Sequence, residues 1–148
     1  MTVLAKNRKA SHDYEILERY EAGIELRGTE VKSCRARSIS LADAHARIRN
    51  GEVWLYGVHI APYKQGNINN HEPRRTRKLL LKKKQIRSLA QSTQTKGTTL
   101  IPLSIFLRKN MIKVELGLCK GKAKHDKREE MRRKIHKKEA DDAIKKRV

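Results

Sequence analysis

The stretch 41-LADAHARIRNGEVWLYGVHI-60 decides the fold. Small or apolar residues alternate at Ala44, Ala46 and Ile48, stop at Asn50-Gly51, and alternate again at Val53, Leu55 and Gly57. A period of two places alternate side chains on one face of a strand. Asn-Gly tolerates two successive positive φ angles, which a type I′ turn requires. The segment therefore predicts a β-hairpin.

The flanking segments extend this pattern. In "YEILERYEAGIEL", Tyr14, Ile16, Ile24 and Leu26 fall at mostly even spacing, which predicts a long strand bent at Gly23. "TTLIPLSIFLRKNMIKVELGL" (98–118) predicts two or three strands, with Asn110 at the turn between Ile105/Leu107 and Ile112/Val114/Leu116. Two helices interrupt the strands. "RGTEVKSCRAR" predicts a short one with Thr29 as cap, Glu30 in the first turn and Val31 and Cys34 facing inward. "RKLLLKKKQIRSLAQSTQ" has helical spacing, with Leu79, Ile86, Leu89 and Ala90 on one face, until Lys96-Gly97. Between Ala61 and Arg77 the chain reads as a long loop, and residues 1–13 as a polar, basic arm over the body. Five or six mostly antiparallel strands in about 120 residues predict a mainly β protein, a small OB-like barrel with helices at its ends. The strand order stays open at this point.

The 148 residues carry a formal net charge of +20. Residues 121–148 hold 12 Lys/Arg and 6 Asp/Glu, a net of +6, so +14 belongs to residues 1–120. A basic body favours a polyanion, with nucleic acid first and an anionic membrane surface second. No apolar run approaches the roughly 18–20 residues of a spanning helix. The N-terminus lacks the apolar core of a signal peptide, so a cytoplasmic protein is expected. Cys34 and Cys119 lack metal-ligand spacing and are expected as free buried thiols.

The strongest charge feature is the run Arg74, Arg75, Arg77, Lys78, Lys82, Lys83, Lys84 and Arg87, which contains no acid. A solvated helix face usually mixes both signs, so phosphate contact is favoured. Arg75 and Arg77 lie in the loop, where a guanidinium can fork onto a phosphate. Asn70 and His71 suit either turn chemistry or hydrogen bonds to base edges and ribose hydroxyls. Glu30 suits either a helix N-terminal charge paired with Arg27 or Lys32, or an acceptor for amino and imino groups on an exposed base edge. The six histidines form no spaced metal motif, and no nucleophile motif or phosphate-binding glycine loop is present. The expectation is a protein without catalysis or cofactor.

The C-terminal stretch "GKAKHDKREEMRRKIHKKEADD" (Gly121–Asp142) has helical charge pairs, Glu129 before Arg133 and Glu130 before Lys134. Its apolar stripe, Met131 and Ile135, is too thin to hold it alone. By composition it is either a solubilising tail or a segment that becomes helical when docked.

Seven blocks in order resemble the SmpB (SsrA-binding protein) family. They are "NRKASHDY" (Asn7–Tyr14), "EAGIEL" with "GTEVKS" (Glu21–Ser33), "GEVWL" (Gly51–Leu55), "PY" with "GNINNHEPRRTRKLLL" (Pro62–Leu81), "KGTTLIPL" (Lys96–Leu103), "KVEL" (Lys113–Leu116) and "GKAKHDKR" (Gly121–Arg128). The resemblance implies an OB-fold domain at 1–120 that holds the tRNA-like domain of tmRNA (SsrA RNA). It implies a tail at 121–148 that enters the decoding centre and empty mRNA channel of a stalled ribosome, against small-subunit ribosomal RNA, and folds there as a helix. The expected protein is a monomer bound to RNA. Carried over by motif, Glu30, Asn70, His71, Arg75, Arg77, Lys78 and Lys113 belong to the tmRNA surface. Lys122, Lys124, His125, Asp126, Lys127 and Arg128 belong to the decoding-centre segment, with His125 placed to stack on a base. Family members often have Gly where Arg37 stands, Ser-Tyr where Ala44-His45 stand, and a Gly-containing turn where Asn110-Met111 stand; Arg74 adds a charge. The alternative is a general structural or ribosomal RNA-binding OB-fold protein, whose affinity follows charge rather than RNA shape.

Overall fold

The hairpin forms where the alternation places it. Strands β4 (His45–Arg49) and β5 (Glu52–Tyr56) pair antiparallel, with Ala46 opposite Leu55 and Ile48 opposite Val53. Asn50 and Gly51 have φ of 53° and 74°, the two positive angles of a type I′ turn. The structure, a computed structural model, describes residues 1–64 and 70–122.

Around the hairpin, six strands close into an antiparallel barrel. They are β2 (Tyr14–Ile24), β4, β5, β7 (Arg77–Leu80), β8 (Thr98–Arg108) and β9 (Met111–Gly121). The ring runs β8-β4-β5-β7-β2-β9 and returns to β8. Closure removes the exposed edges of the ring. The β8–β9 turn uses Lys109 and Asn110, both left-handed at φ 50° and 63°, without a glycine. A two-residue pair, β3 (Ile39–Ser40) with β6 (His59–Ile60), sits beside the ring.

The interior is filled by Ala22, Val53, Leu55, Leu79, Leu100, Ile105, Val114 and Leu116, all at 1% exposure or less. The Val, Leu and Ile side chains among them stabilise by about 1.5–3 kcal/mol each on full burial. Two helices plug the barrel: α2 (Gly28–Arg35) contributes Cys34 and α3 (Lys83–Ser92) contributes Leu89 to the same core. α2 lies at the end where β8 turns into β9, its Arg35 guanidinium donating to the Asn110 carbonyl at 3.3 Å. α3 starts just after β7 and finishes at the other end, where Thr98 Oγ1 donates to the Ser92 carbonyl at 3.2 Å. The segment after α3 returns through Gly97, whose carbonyl accepts from the Gly121 N–H at 3.3 Å, where β9 leaves the barrel.

Several elements differ from the sequence reading. Residues 1–13 are built into the fold, not laid over it. β1 (Thr2–Lys6) pairs with β8 from Thr2↔Leu107 to Lys6↔Ser104. α1 (Arg8–Asp13), capped by the Asn7 side chain accepting from the Ala10 N–H, buries Ala10 against Ile101, Leu103 and Cys119 on the barrel's outer wall. This cover explains why the middle of β8 is buried on both faces. Packing there is close: a Cβ on Gly117 would lie 2.8 Å from Leu103 Cδ1. Leu79 belongs to a strand and not to the long helix, which starts only at Lys83. The run Arg77, Lys78, Leu79, Leu80 alternates buried and exposed, with an arginine on the inner side. An inward charge masked the period of two. Val31 is only half-buried, and Thr29 does not cap α2; that role falls to the residues around Arg27 and Glu30.

Candidate nucleic-acid interface

Glu30 is the centre of the α2 end. As the third residue of the helix it accepts the Arg27 backbone N–H at 2.8 Å, one half of a capping box. Its carboxylate is fully buried. Arg75 Nη2 donates to Oε1 at 2.6 Å, and Arg77 Nε donates to Oε2. Arg77 is itself fully buried, and donates further to the Val58 carbonyl at 2.9 Å and the Pro73 carbonyl at 3.1 Å. One carboxylate and one guanidinium therefore lock α2, the turn after β5 and the loop before β7 together. Such a buried pair holds only when its remaining donors and acceptors are satisfied, as here. Burial pushes the Glu30 carboxyl up, but the bonds from Arg75, the Arg27 N–H and Arg77 outweigh it and hold the group below the ordinary value. Burial also pushes the neighbouring Cys34 thiol up, to about 12, and Cys119 to about 11. Both cysteines are free and buried, as expected.

The loop is stapled from within. Asn70 donates to the Tyr63 carbonyl at 2.6 Å and accepts the Tyr63 N–H at 2.8 Å, closing the segment between them. His71 is 4% exposed. Its Nε2 faces the Ile60 carbonyl at 2.8 Å, which can only accept, so the proton sits there. Nδ1 is then free to accept the Thr29 hydroxyl at 2.9 Å, which is what Thr29 does instead of capping. The Lys32 ammonium lies 5.3 Å over the Tyr63 ring and ties the loop to α2.

The structure thus brings Glu30, His71, Arg75 and Arg77 together at one barrel end, with Asn70 fixing the loop beside them. Glu30, Asn70, His71 and Arg77 spend their polar atoms on protein partners. Arg75, with its side chain 25% exposed, presents charge at the edge of the cluster. Lys78 is half-buried and paired with Glu52 at 2.8 Å. Lys113, opposite Gly23 in the β2–β9 ladder, sits at the same end but apart from the cluster. The sequence reading missed the exposed Arg27, Lys32, Arg35 and Arg37 of the α2 segment, which with Arg74 surround the cluster with positive charge. Their signal is spread over helix and loop, and only the fold collects it. Lys122 lies at the opposite end, its N–H on the Asp13 carbonyl at 3.0 Å and its ammonium on the Ser11 carbonyl at 3.1 Å. Lys124, His125, Asp126, Lys127 and Arg128 lie outside the described residues. Among the described residues no group of His, Cys, Asp and Glu is arranged to hold a metal ion, and no helix is long and apolar enough to cross a membrane.

Known proteins place the chain. A family model described as "SmpB protein" matches residues 4–146. The SsrA-binding protein of Carboxydothermus hydrogenoformans is 55% identical over 142 residues, 96% of this chain and 95% of the relative. That of Streptococcus mutans is 57% identical over 132 residues, 89% of this chain and 85% of the relative. A solved chain described under "tmRNA-SmpB: a journey to the center of the bacterial ribosome" superposes with a TM-score of 0.71 at 47% identity, covering 90% of this chain and 96% of the other. Matches of this extent, on a barrel whose α2 end brings Glu30, His71, Arg75 and Arg77 together, establish that the chain belongs to the SmpB family.

Proposed function

We propose that this protein is a non-enzymatic, cytoplasmic RNA adaptor for trans-translation. The barrel, residues 1–120, binds the tRNA-like domain of tmRNA, and the segment 121–148 engages the decoding centre and mRNA channel of a stalled ribosome. Family membership supports the RNA partner, since its relatives carry the name SsrA-binding protein and its structural neighbour is described with tmRNA and the bacterial ribosome. The observation that carries the reading within this chain is the Glu30–Arg75–Arg77 network. It fixes an array of cations in one rigid geometry, which suits recognition of RNA shape better than a loose basic surface would.

In this reading the site residues divide their labour. Arg75, Lys78 and Lys113, with the α2 cations, contact the phosphates of the tRNA-like domain. Glu30, Asn70, His71 and Arg77 hold the loop and Arg75 in position. Lys122, Lys124, His125, Asp126, Lys127 and Arg128 serve the ribosomal end. The test is a binding competition between the tRNA-like domain and an unrelated duplex of equal length across a salt series. A shape reader keeps a preference of about a hundredfold or more as salt rises. Equal affinities falling with one slope would reduce the protein to a general polycation.

A further inference from the structure

The body of the protein is basic, yet β2 is not: it carries Glu15, Glu18 and Glu21 against Arg19 alone, and Glu25 follows it. Glu21 is matched by Arg108 at 2.9 Å, but among the described residues neither Glu15 nor Glu18 has a cation within ion-pair distance. Between these two acids, at the bulge where the register shifts from Ile16 to Glu18, Leu17 stands 45% exposed. Beside them the ring closes through two pairs only, Gly23↔Leu80 and Ile24↔Leu79. Over residues 15–22, β2 therefore has β9 on one edge and, among the described residues, no strand on the other. An open strand edge that presents an apolar side chain between two acids without counter-ions suits a basic segment with an apolar stripe. The same acids repel phosphate, so RNA is not the occupant.

The chain carries such a segment next to this edge. Residues 123–148 lie outside the described residues, but their sequence has the required pattern. Met131 and Ile135, four apart, fall on one side of a 3.6-residue repeat, and Lys127, Arg128, Lys134 and Lys138 fall on the same side around them. An apolar stripe between cations is the converse of Leu17 between Glu15 and Glu18. The segment also starts in the right place. Gly121 lies opposite Tyr14, the first residue of β2, and the Lys122 N–H donates to the Asp13 carbonyl at 3.0 Å. Leu17 follows Tyr14 along the strand at a distance of about 10 Å. The residues from Lys122 to Met131 span up to about 30 Å, so the stripe reaches Leu17 with slack. Such a tether holds it there at an effective concentration on the order of millimolar, enough to populate a contact too small to hold a free peptide.

We propose that, in the protein free of ribosomes, the Met131/Ile135 stripe of the C-terminal segment docks on the open β2 edge at Leu17, between Glu15 and Glu18, and that ribosome binding has to displace it. The docking stands apart from the adaptor reading; only the competition with the ribosome rests on it. The test puts a nitroxide on the full-length, RNA-free protein through Lys137→Cys, a position off the stripe. Cys34 and Cys119 are buried, with thiols pushed up to about 12 and about 11, so the label goes to the new thiol. The expected result is paramagnetic loss of the amide signals of residues 15–19, with those of residues 35–38 at the α2 end intact. Met131→Ser with Ile135→Ser restores the lost signals, and so does Leu17→Ser on the barrel; a thermal melt confirms the fold of each variant. Leu17→Ser also raises affinity for small ribosomal subunits about threefold, the gain expected when about two thirds of the free chain is docked. Signal loss that is absent, or spread evenly over the barrel, overturns the docking and leaves the edge to a separate basic partner. Loss that survives replacement of Met131 and Ile135 overturns it as well, reducing the contact to loose charge attraction. Equal affinity of Leu17→Ser and wild type for subunits overturns the competition. A wild-type chain that does not bind subunits overturns the adaptor reading itself, a distinct outcome.

Discussion

Residue by residue, the site is held by buried charge. Glu30→Gln leaves Arg77 in the core without its anion, and loss of one partner of such a pair costs about 3–5 kcal/mol. Because the folded state holds the Glu30 carboxyl below its ordinary value of 4.5, the stabilisation is present above that pH and is lost as pH falls through the folded value. Glutamine mimics the protonated acid, so thermal melts should show a wide gap between wild type and variant at neutral pH that closes below about pH 4.5. A gap independent of pH would remove Glu30 from the charge network. Arg37 tests the opposite sign. It occupies the left-handed position after α2 at φ 63°, with its N–H on Cys34 O and the Ser38 N–H on Ser33 O, a Schellman ending that favours glycine. Arg37→Gly should raise stability by about 1 kcal/mol in a denaturant titration, and a loss would contradict the backbone account. The sequence alone named Glu30, Arg75 and Arg77 but offered only Arg27 or Lys32 as partners for the acid. The true partners lie 45 and 47 residues away, and no local spacing encodes that.

At the scale of elements, alternation was readable wherever one face of a strand met the core and the other met water. The β4–β5 hairpin and the long strand β2 follow from spacing and turn chemistry alone. Reading failed where the two faces stopped differing in the usual way. β7 places a charge inward, which made its residues resemble the start of α3. β1 and α1 are short and polar enough to pass for an arm, yet Leu4 and Ala10 are 7% and 2% exposed, and together these elements wall β8. Removing residues 1–13 should therefore destabilise the barrel by about 3 kcal/mol or more, through lost apolar burial and an uncovered β8 edge. A chemical-denaturation curve superimposable on that of the full chain would restore the reading of a loose arm.

At the scale of the whole molecule, a closed barrel separates the α2 end from the end where β9 finishes. The α2 end gathers Glu30, Asn70, His71, Arg75 and Arg77, and the opposite end holds Gly121 and Lys122 against Gly97, Ser11 and Asp13. β8, β9 and β2 close the ring within the described residues, with ladder pairs that reach Tyr14↔Gly121 and Thr98↔Lys120. The barrel class was legible from strand count and periodicity, but the order of strands was not, since which strands neighbour each other is settled by long-range pairing. The central claim is that RNA capture and ribosome engagement are separable. The most direct measurement compares the full chain with a chain ending at Lys122, in binding to the tRNA-like domain of tmRNA and in tagging of stalled nascent chains. Affinity for the RNA should agree within about twofold, a difference under about 0.5 kcal/mol, while tagging is abolished. Loss of RNA affinity in the shortened chain, or tagging that survives the cut, would contradict the account.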